Sequence, residues 1–443
     1  MYDIVVIGAG PAGYTAALRA GQLGLESALI DPVEPGGRGL HQGVMFLKGI
    51  MESARRYREV ARSNFFGIEG VPQSGLSLNW NTAVRRAQGV AGKVSGQIAE
   101  QLSANGVSVL RKKAKIAGPN AVTVGDQTLE TRHIIVATGA SPRRLPFSVP
   151  PDMSRSVWSV GGLDRIPENV VVYGSNPIAA EYAQFFSLAG SRVTILGDGG
   201  PFLPGLDETL ATRFREQLRR EQITILDNYQ SVSAGSKKLK VDTSTVDCDV
   251  IVNCGPTEGL LPESQVALDY DRGFLRVNDR YQTSEPSIYA VGDVNGITVS
   301  ARQAAEQGYA AVELTVGHKR PTTTRLTPYL VYTVPELAQI GSTAAELRHD
   351  GIPFDAVEVN LEHNAKALLE ETGEGFVRLL YAKKSGAVLG VQIMGHDAID
   401  MASEAMSLLR FNATVSDLAQ IVHAHPTVSE AFSELGRRAS AAL

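Results

Sequence analysis

A strand, a glycine-rich turn, a helix and a second strand follow one another twice along this chain. Parallel strands joined by a crossover helix bury themselves only in a sheet covered on both faces. In the first copy Asp3-Ile4-Val5-Val6-Ile7 runs into Gly8-Ala9-Gly10-Pro11-Ala12-Gly13, an Ala- and Leu-rich helix to about Leu23, and then Ser27-Ala28-Leu29-Ile30-Asp31. The second runs Asn169-Val170-Val171-Val172-Tyr173, Gly174-Ser175-Asn176-Pro177-Ile178-Ala179, a helix through Ala183 and Phe186, and Arg192-Val193-Thr194-Ile195-Leu196. The fold class that follows is α/β, with two doubly wound dinucleotide-binding units.

The spacing carries chemistry. The first glycine serves a tight turn, the second lets backbone approach a pyrophosphate, the third lets helix and strand pack closely, and the helix N-terminus favours the anion. An acid at the end of the second strand takes the ribose hydroxyls. Gly8, Gly10, Ala12 and Gly13 fit the whole pattern, with Asp31 eighteen residues beyond Gly13. The second copy departs from it. Gly174 keeps the first glycine, but Asn176 replaces the second and Ala179 the third, with Ile178 between them. The acid position holds Gly197, and Asp198 comes one place late.

A chain of 443 residues exceeds one ordinary core and suits two to four domains. Hydrophobic residues at 43% and charged residues at 20% exclude a disordered or fibrous class. Forty-two Lys+Arg against 47 Asp+Glu gives a net charge of −5 without a dense basic cluster, so nucleic acid is not an expected partner. No apolar stretch approaches the roughly 20 residues of a membrane span, and no basic leader precedes the first strand, so the expected location is cytoplasmic. The two cysteines, Cys248 and Cys254, flank an apolar run. Extended chain would set them about 20 Å apart, beyond disulfide reach, and they read as small core residues. No metal site is signalled.

Between the copies the sequence reads as a helix around Ala83 to Ala104, a short strand near Val107 to Leu110, and His133-Ile134-Ile135-Val136-Ala137-Thr138-Gly139-Ala140. After the second copy come Ile288-Tyr289-Ala290-Val291-Gly292-Asp293 and a helix from about Ser300. From about Pro321 the character becomes β then α, with strands at Tyr329 to Thr333, Gly375 to Tyr381 and Ala387 to Met394, a helix near Ile399 to Arg410 and another late in the chain. That reads as a third domain.

Gly8 to Gly13, Ala137-Thr138-Gly139, Gly292-Asp293, Tyr332-Thr333-Val334-Pro335-Glu336 and His423-Ala424-His425-Pro426-Thr427-Val428-Ser429-Glu430 lie in order over essentially the whole chain. Together they resemble the class I pyridine-nucleotide disulfide oxidoreductases, of the dihydrolipoamide dehydrogenase and mercuric reductase type. The resemblance implies a discontinuous FAD domain (1–146 and 256–320), an inserted NAD(P) domain (147–255) and a C-terminal α+β interface domain (321–443) that builds a homodimer. It places FAD against Gly8, Gly10, Ala12, Gly13, Asp31, Gly37, Arg38, Lys48, Ala137, Thr138, Gly139, Gly292 and Asp293. It places a nicotinamide nucleotide against Gly174, Asn176, Ile178, Ala179, Glu181 and Asp198.

The departure matters as much as the match. Members of that family carry a redox dithiol in a stretch of the form G-G-T-C-L-N-V-G-C-I-P-S-K. This chain has Gly36-Gly37-Arg38-Gly39-Leu40-His41-Gln42-Gly43-Val44-Met45-Phe46-Leu47-Lys48, so Gly39 and Val44 stand where the sulfurs belong. Neither residue can attack or store electrons, which excludes dithiol–disulfide chemistry unless an external thiol is supplied. The resemblance further implies that Lys48 and Glu181 pair beside the flavin N5, and that His425 and Glu430 form an acid–base dyad. Without a thiol the dyad is either a packing remnant or a proton source for a reduced acceptor. Arg38 and His41 replace neutral family residues, either to attract a polar acceptor or to serve surface and backbone hydrogen bonding. The reading is an FAD-dependent NAD(P)H:acceptor oxidoreductase that passes electrons to a quinone-like acceptor. Transhydrogenation between nicotinamides, or a flavin-binding sensor, scaffold or partner subunit without hydride catalysis, are the alternatives. NADH is favoured over NADPH because Gly197-Asp198-Gly199-Gly200 offers no cation for a 2′-phosphate.

Overall fold

A computed structural model describes residues 1–72, 74–297, 300–318 and 327–442. They fall into two compact units, one formed by Met1–Ile166 with the segment that begins at Gly255, the other by Pro167–Cys254 with the C-terminal segment. The expected boundary at residue 147 falls inside the first unit, and the one at 321 lies outside the described residues.

The first unit is built on β1 (Tyr2–Ile7), α1 (Pro11–Gln22), β2 (Ser27–Ile30), α2 (Gly37–His41), α3 (Val44–Ala61), α4 (Trp80–Ala104), β3 (Ser108–Leu110), β4 (Ala114–Gly118), β5 (Ala121–Val124) and β6 (Gln127–Val136). The parallel part of its sheet runs β3-β2-β1-β6, with the strand Ile288–Ala290 on the far side of β6, and β5 and β4 continue antiparallel from the first half of β6. Ile4, Val6, Leu29 and Ile135 enter one core with Ala12, Ala16, Ala17 and Ala20 of α1. Val5, Ile7, Ala28, Ile30, Ile134 and Val136 enter another on the opposite face. Burial on both faces explains the unbroken apolar runs. The small residues on α1 let the helix Ala301–Thr315 approach so closely that a Cβ on Gly308 would lie 2.0 Å from the Ala12 carbonyl oxygen.

The second unit repeats the plan with β7 (Asn169–Tyr173), α5 (Pro177–Leu188), β8 (Arg192–Leu196), α6 (Glu208–Arg220), β9 (Thr224–Leu226) and β10 (Val250–Asn253), parallel in the order β9-β8-β7-β10. Its C-terminal part is an antiparallel sheet of β11 (Tyr329–Val331), β12 (Glu336–Gly341), β13 (Phe354–Asn360), β14 (Phe376–Ala382) and β15 (Val388–Gly395), ordered β11-β12-β15-β14-β13. The helices α7 (Ala398–Arg410), α8 (Val415–Gln420) and α9 (Glu430–Ser440) share its apolar core. Buried polar contacts tie the two parts together. Asp207 caps α6 through the Thr209 N–H, accepts from the Ala344 N–H at 3.1 Å, and pairs with Arg378 at 3.0 Å.

Candidate active site

The first fingerprint sits where β1 ends. A Cβ on Gly8 would lie 2.3 Å from the Ala137 carbonyl oxygen, and one on Gly13 would lie 1.7 Å from the Gly8 carbonyl oxygen, so both glycines are demanded by backbone packing. Gly10 differs, because a Cβ there would meet nothing within 4 Å. It caps α1 without any side-chain hydrogen bond, and Pro11 follows, so the first-turn N–H groups face an open concavity. Gly37 closes one wall, since its Cβ would stand 2.7 Å from the Gly10 Cα. Asp31 accepts hydrogen bonds from the N–H groups of Ala9 at 2.7 Å and Val33 at 2.8 Å, so this carboxylate shapes the turn as well as offering its remaining lone pairs to a ribose.

Two further segments converge on this edge. The Ala137 N–H bonds to the Ile7 carbonyl at 2.8 Å, and the Val291 N–H bonds to the Val136 carbonyl at 2.9 Å, which brings Thr138-Gly139 and Gly292-Asp293 beside β1 and β6. Among the described residues the Thr138 hydroxyl is buried without a partner. Burial pushes the Asp293 carboxyl up to about 6. Gln307 holds the turn by accepting from the Gly292 N–H at 2.8 Å and from Asn295 at 2.8 Å. An uncapped helix start, an open cradle at Gly10, an orphaned hydroxyl and a strained carboxyl all fit FAD.

The segment that would carry a dithiol is two helices instead of one. Between α2 and α3 lies Gly43, against which the Trp158 ring is packed so closely that a Cβ would be 2.3 Å from its Cζ3. The same would-be Cβ is 3.2 Å from the Gly39 Cα. The Trp158 indole N–H is buried with no hydrogen-bond partner among the described residues, unusual for a tryptophan. Sequence reasoning missed Trp158, because nothing local links it to a glycine far upstream. Arg38 is exposed on α2, and His41 bonds through Nε2 to the Pro35 carbonyl at 3.2 Å, the backbone role among its expected ones. Lys48 is half-buried on α3 of the first unit. The cysteines lie in the second unit, both buried. Burial pushes the Cys248 thiol up to about 12 and raises that of Cys254 as well.

At the second fingerprint the asparagine has taken over the helix start. Asn176 accepts from the Ala179 N–H at 3.1 Å and donates from Nδ2 to the Cys254 carbonyl at 2.6 Å. A self-capped α5 leaves fewer first-turn donors than α1 does, with Ile178 N–H outside this cap and Gly174 still turning the chain after β7. Glu181 is 1% exposed, and its Oε1 accepts from the Tyr332 N–H at 3.0 Å. Three residues on, Gln184 grips the Val334 backbone, donating to its carbonyl at 2.5 Å and accepting from its N–H. At the end of β8, the Asp198 N–H bonds to Ser175 Oγ at 3.3 Å.

The C-terminal dyad is formed within one chain. His425 Nδ1 lies 2.9 Å from Glu430 Oε1, and Glu430 Oε2 accepts from the Thr427 N–H at 3.0 Å. That backbone donor, with His425 second, holds the Glu430 carboxyl below its ordinary value. A carboxylate only accepts, so Nδ1 carries the proton in this contact, on a side chain 70% exposed. Beside it, His423 is buried between Glu404 at 2.7 Å and Ser433 Oγ at 2.5 Å. Among the described residues no helix is long and apolar enough to cross a membrane.

Comparison with known proteins gives a consistent picture. Residues 2–308 match the pyridine nucleotide-disulphide oxidoreductase family and residues 327–435 its dimerisation domain. The chain is 32% identical to the dihydrolipoyl dehydrogenase of Thermus scotoductus, covering 98% of this chain and 96% of that protein. It is 31% identical to the human mitochondrial dihydrolipoyl dehydrogenase, covering 99% and 90%. The crystal structure of LpdA from Mycobacterium tuberculosis superposes with a TM-score of 0.88 at 25% identity, covering 99% of each chain.

Proposed function

The chain belongs to the pyridine nucleotide-disulphide oxidoreductase family, which is FAD- and NAD(P)-dependent, and from that premise we propose that it is an NAD(P)H:acceptor oxidoreductase working without dithiol chemistry, with a quinone-like electron acceptor. The observation that carries the reading is the segment between α2 and α3. Gly39 and Val44 stand at the two sulfur positions, and the indole of Trp158 covers the turn between them with its N–H unused. An indole packed on this turn supplies aromatic surface and no sulfur, which suits a planar acceptor and does nothing for a disulfide.

FAD, when bound, supplies the two-electron carrier between nicotinamide and acceptor. The α1 N-terminus and the cradle at Gly10 would hold its pyrophosphate, Asp31 and Asp293 would take hydroxyl groups, and Thr138 would donate or accept at the same edge. Lys48 is assigned as a fixed cation that would stabilise developing negative charge on the cofactor, and Glu181 is assigned to the nicotinamide site. His425, oriented by Glu430, exchanges a proton at Nε2 with the acceptor, and a homodimer brings that atom to the neighbouring site. NADH is the assigned donor.

The test is anaerobic mixing of the FAD-loaded protein with NADH and with NADPH while the flavin absorbance is followed, then addition of a benzoquinone. Bleaching by nicotinamide and recovery with quinone are expected, and Trp158→Phe should slow the recovery more than the bleaching. If dithionite bleaches the flavin and neither nicotinamide does at millimolar concentration, the self-capped α5 has closed the second site. The flavin-binding protein without hydride catalysis then replaces this reading.

A further inference from the structure

The missing acid of the second fingerprint has a structural reason. A Cβ on Gly197 would lie 3.1 Å from the Cα and 3.2 Å from the Cβ of Asp227, and 3.4 Å from Ser175 Oγ. The chain leaving β9 therefore crowds position 197, and a side chain there would require it to give by a few tenths of an ångström. Two hydrogen bonds fix this crossing: the Gly197 N–H donates to the Leu226 carbonyl at 2.8 Å, and the Tyr229 hydroxyl donates to the Gly197 carbonyl at 2.7 Å. Asp227 starts its own side chain where the side chain of residue 197 would begin.

We infer that Asp227, held by Arg215, replaces the acid absent at position 197 and sets the choice between an unmodified and a 2′-phosphorylated adenosine ribose, an inference that rests on the nicotinamide reading above. Arg215, on α6, donates from Nη2 to Asp227 Oδ2 at 2.6 Å, and both side chains are three-quarters buried, at 25% and 23% exposed. The guanidinium is pinned from another side by the Phe202 ring, 5.4 Å from its centroid. Among the described residues Asp227 Oδ1 accepts no hydrogen bond, which leaves it for a ribose hydroxyl. Asp198 adds a second negative charge at the same strand end, and that charge, after burial, raises the neighbouring Tyr229 hydroxyl. A 2′-phosphate entering here meets two carboxylates and a cation already paired, whereas a 2′-hydroxyl meets an acceptor.

The cation is present, however, so the preference is one substitution from reversal. In Asp227→Asn the guanidinium loses its carboxylate and becomes the natural partner of a phosphate. Titration calorimetry of the FAD-loaded protein with NAD⁺ and with NADP⁺ reads this without turnover. The parent should bind NAD⁺ more tightly. Asp227→Asn should shift the ratio of the two dissociation constants toward NADP⁺ by about tenfold or more, the scale of one charge-assisted hydrogen bond. Arg215→Gln, which leaves Asp227 unpaired, should shift the ratio the opposite way, and the double variant should lose the gain in NADP⁺ binding. Unchanged ratios in both single variants, with NAD⁺ still bound, overturn the inference alone. Failure of both nucleotides to bind the parent overturns the nicotinamide reading on which it stands.

Discussion

Two alanine substitutions in one turn should have opposite effects on folding and on cofactor binding. In Gly13→Ala the new methyl would start 1.7 Å from the Gly8 carbonyl oxygen and 3.2 Å from the Ala137 Cβ. The first turn of α1 must retreat by more than about 1 Å to restore ordinary contact, and overpacking of that kind costs about 3 kcal/mol or more. For a unit of this size that lowers the melting temperature of deflavinated protein by at least about 6 °C. Gly10 has φ −68 and ψ −178, backbone that alanine adopts freely, and open space at its Cβ. Gly10→Ala should therefore leave deflavinated protein as stable as the parent, or more stable by up to about 1 kcal/mol. The methyl, however, fills the cradle. Overpacking of about 1–3 kcal/mol against the pyrophosphate weakens FAD binding by about 5- to 150-fold. Fluorescence quenching of FAD added to deflavinated protein gives the affinity, and thermal unfolding of the same samples gives stability free of ligand linkage. Parental FAD affinity in Gly10→Ala would refute the placement of the pyrophosphate at residue 10, and a parental melting temperature in Gly13→Ala would refute the packing argument at residue 13.

Burial and the raised pKa values of Cys248 and Cys254 predict that the folded protein resists a maleimide at pH 8 and takes up two labels per chain once unfolded in denaturant. Asp293 has a folded pKa of about 6, above its unfolded value, so the folded state binds more protons and stability falls as pH rises from about 4 to about 6. Asp293→Asn should thus stabilise deflavinated protein at pH 8 and change little at pH 4 in urea titrations, while weakening FAD binding. Glu181→Ala should slow flavin bleaching by NADH by about a hundredfold and quinone re-oxidation much less, measured by stopped-flow absorbance. Light scattering should give a dimer at micromolar concentration, and a monomer there would contradict the sharing of His425 between subunits.

The first dinucleotide fold was legible because its signals are local: a buried run, glycines at fixed spacing, and an acid where β2 ends. The pairing of His425 with Glu430 came from the family resemblance of the segment 423–430, and the structure sets the two side chains 2.9 Å apart. The cap on α5 also had a local signal, an Asn directly before a Pro at the helix start, which sequence reasoning took for a damaged glycine motif. By contrast α3 was missed because Glu52, Arg55, Arg56, Arg58 and Glu59 crowd its outer turns and hide its apolar stripe of Phe46, Leu47, Ile50 and Met51. The strand β13 was missed because it is an edge strand on which six of seven residues are partly or largely exposed and only Val359 is buried, so no clean alternation appears. Trp158 over Gly43, and Asp227 beneath Gly197, are juxtapositions made only by tertiary packing. The absence of a cation after β8 was read correctly from sequence, yet Arg215 reaches that strand end from a helix.

The joint between α5 and the C-terminal segment has a consequence for recombination among relatives. Glu181 and Gln184 reach residues about 150 positions downstream, and both take backbone groups, those of Tyr332 and Val334. Such a joint is blind to which side chains stand at 332 and 334, so a homologous C-terminal segment can be grafted there despite divergent sequence. It is unforgiving of length. One residue inserted or deleted between 332 and 334 moves the amide and carbonyl out of register with a rigid helix, stranding a buried carboxylate and a buried amide together. Chimeras should therefore sort by loop length at this joint and not by percentage identity.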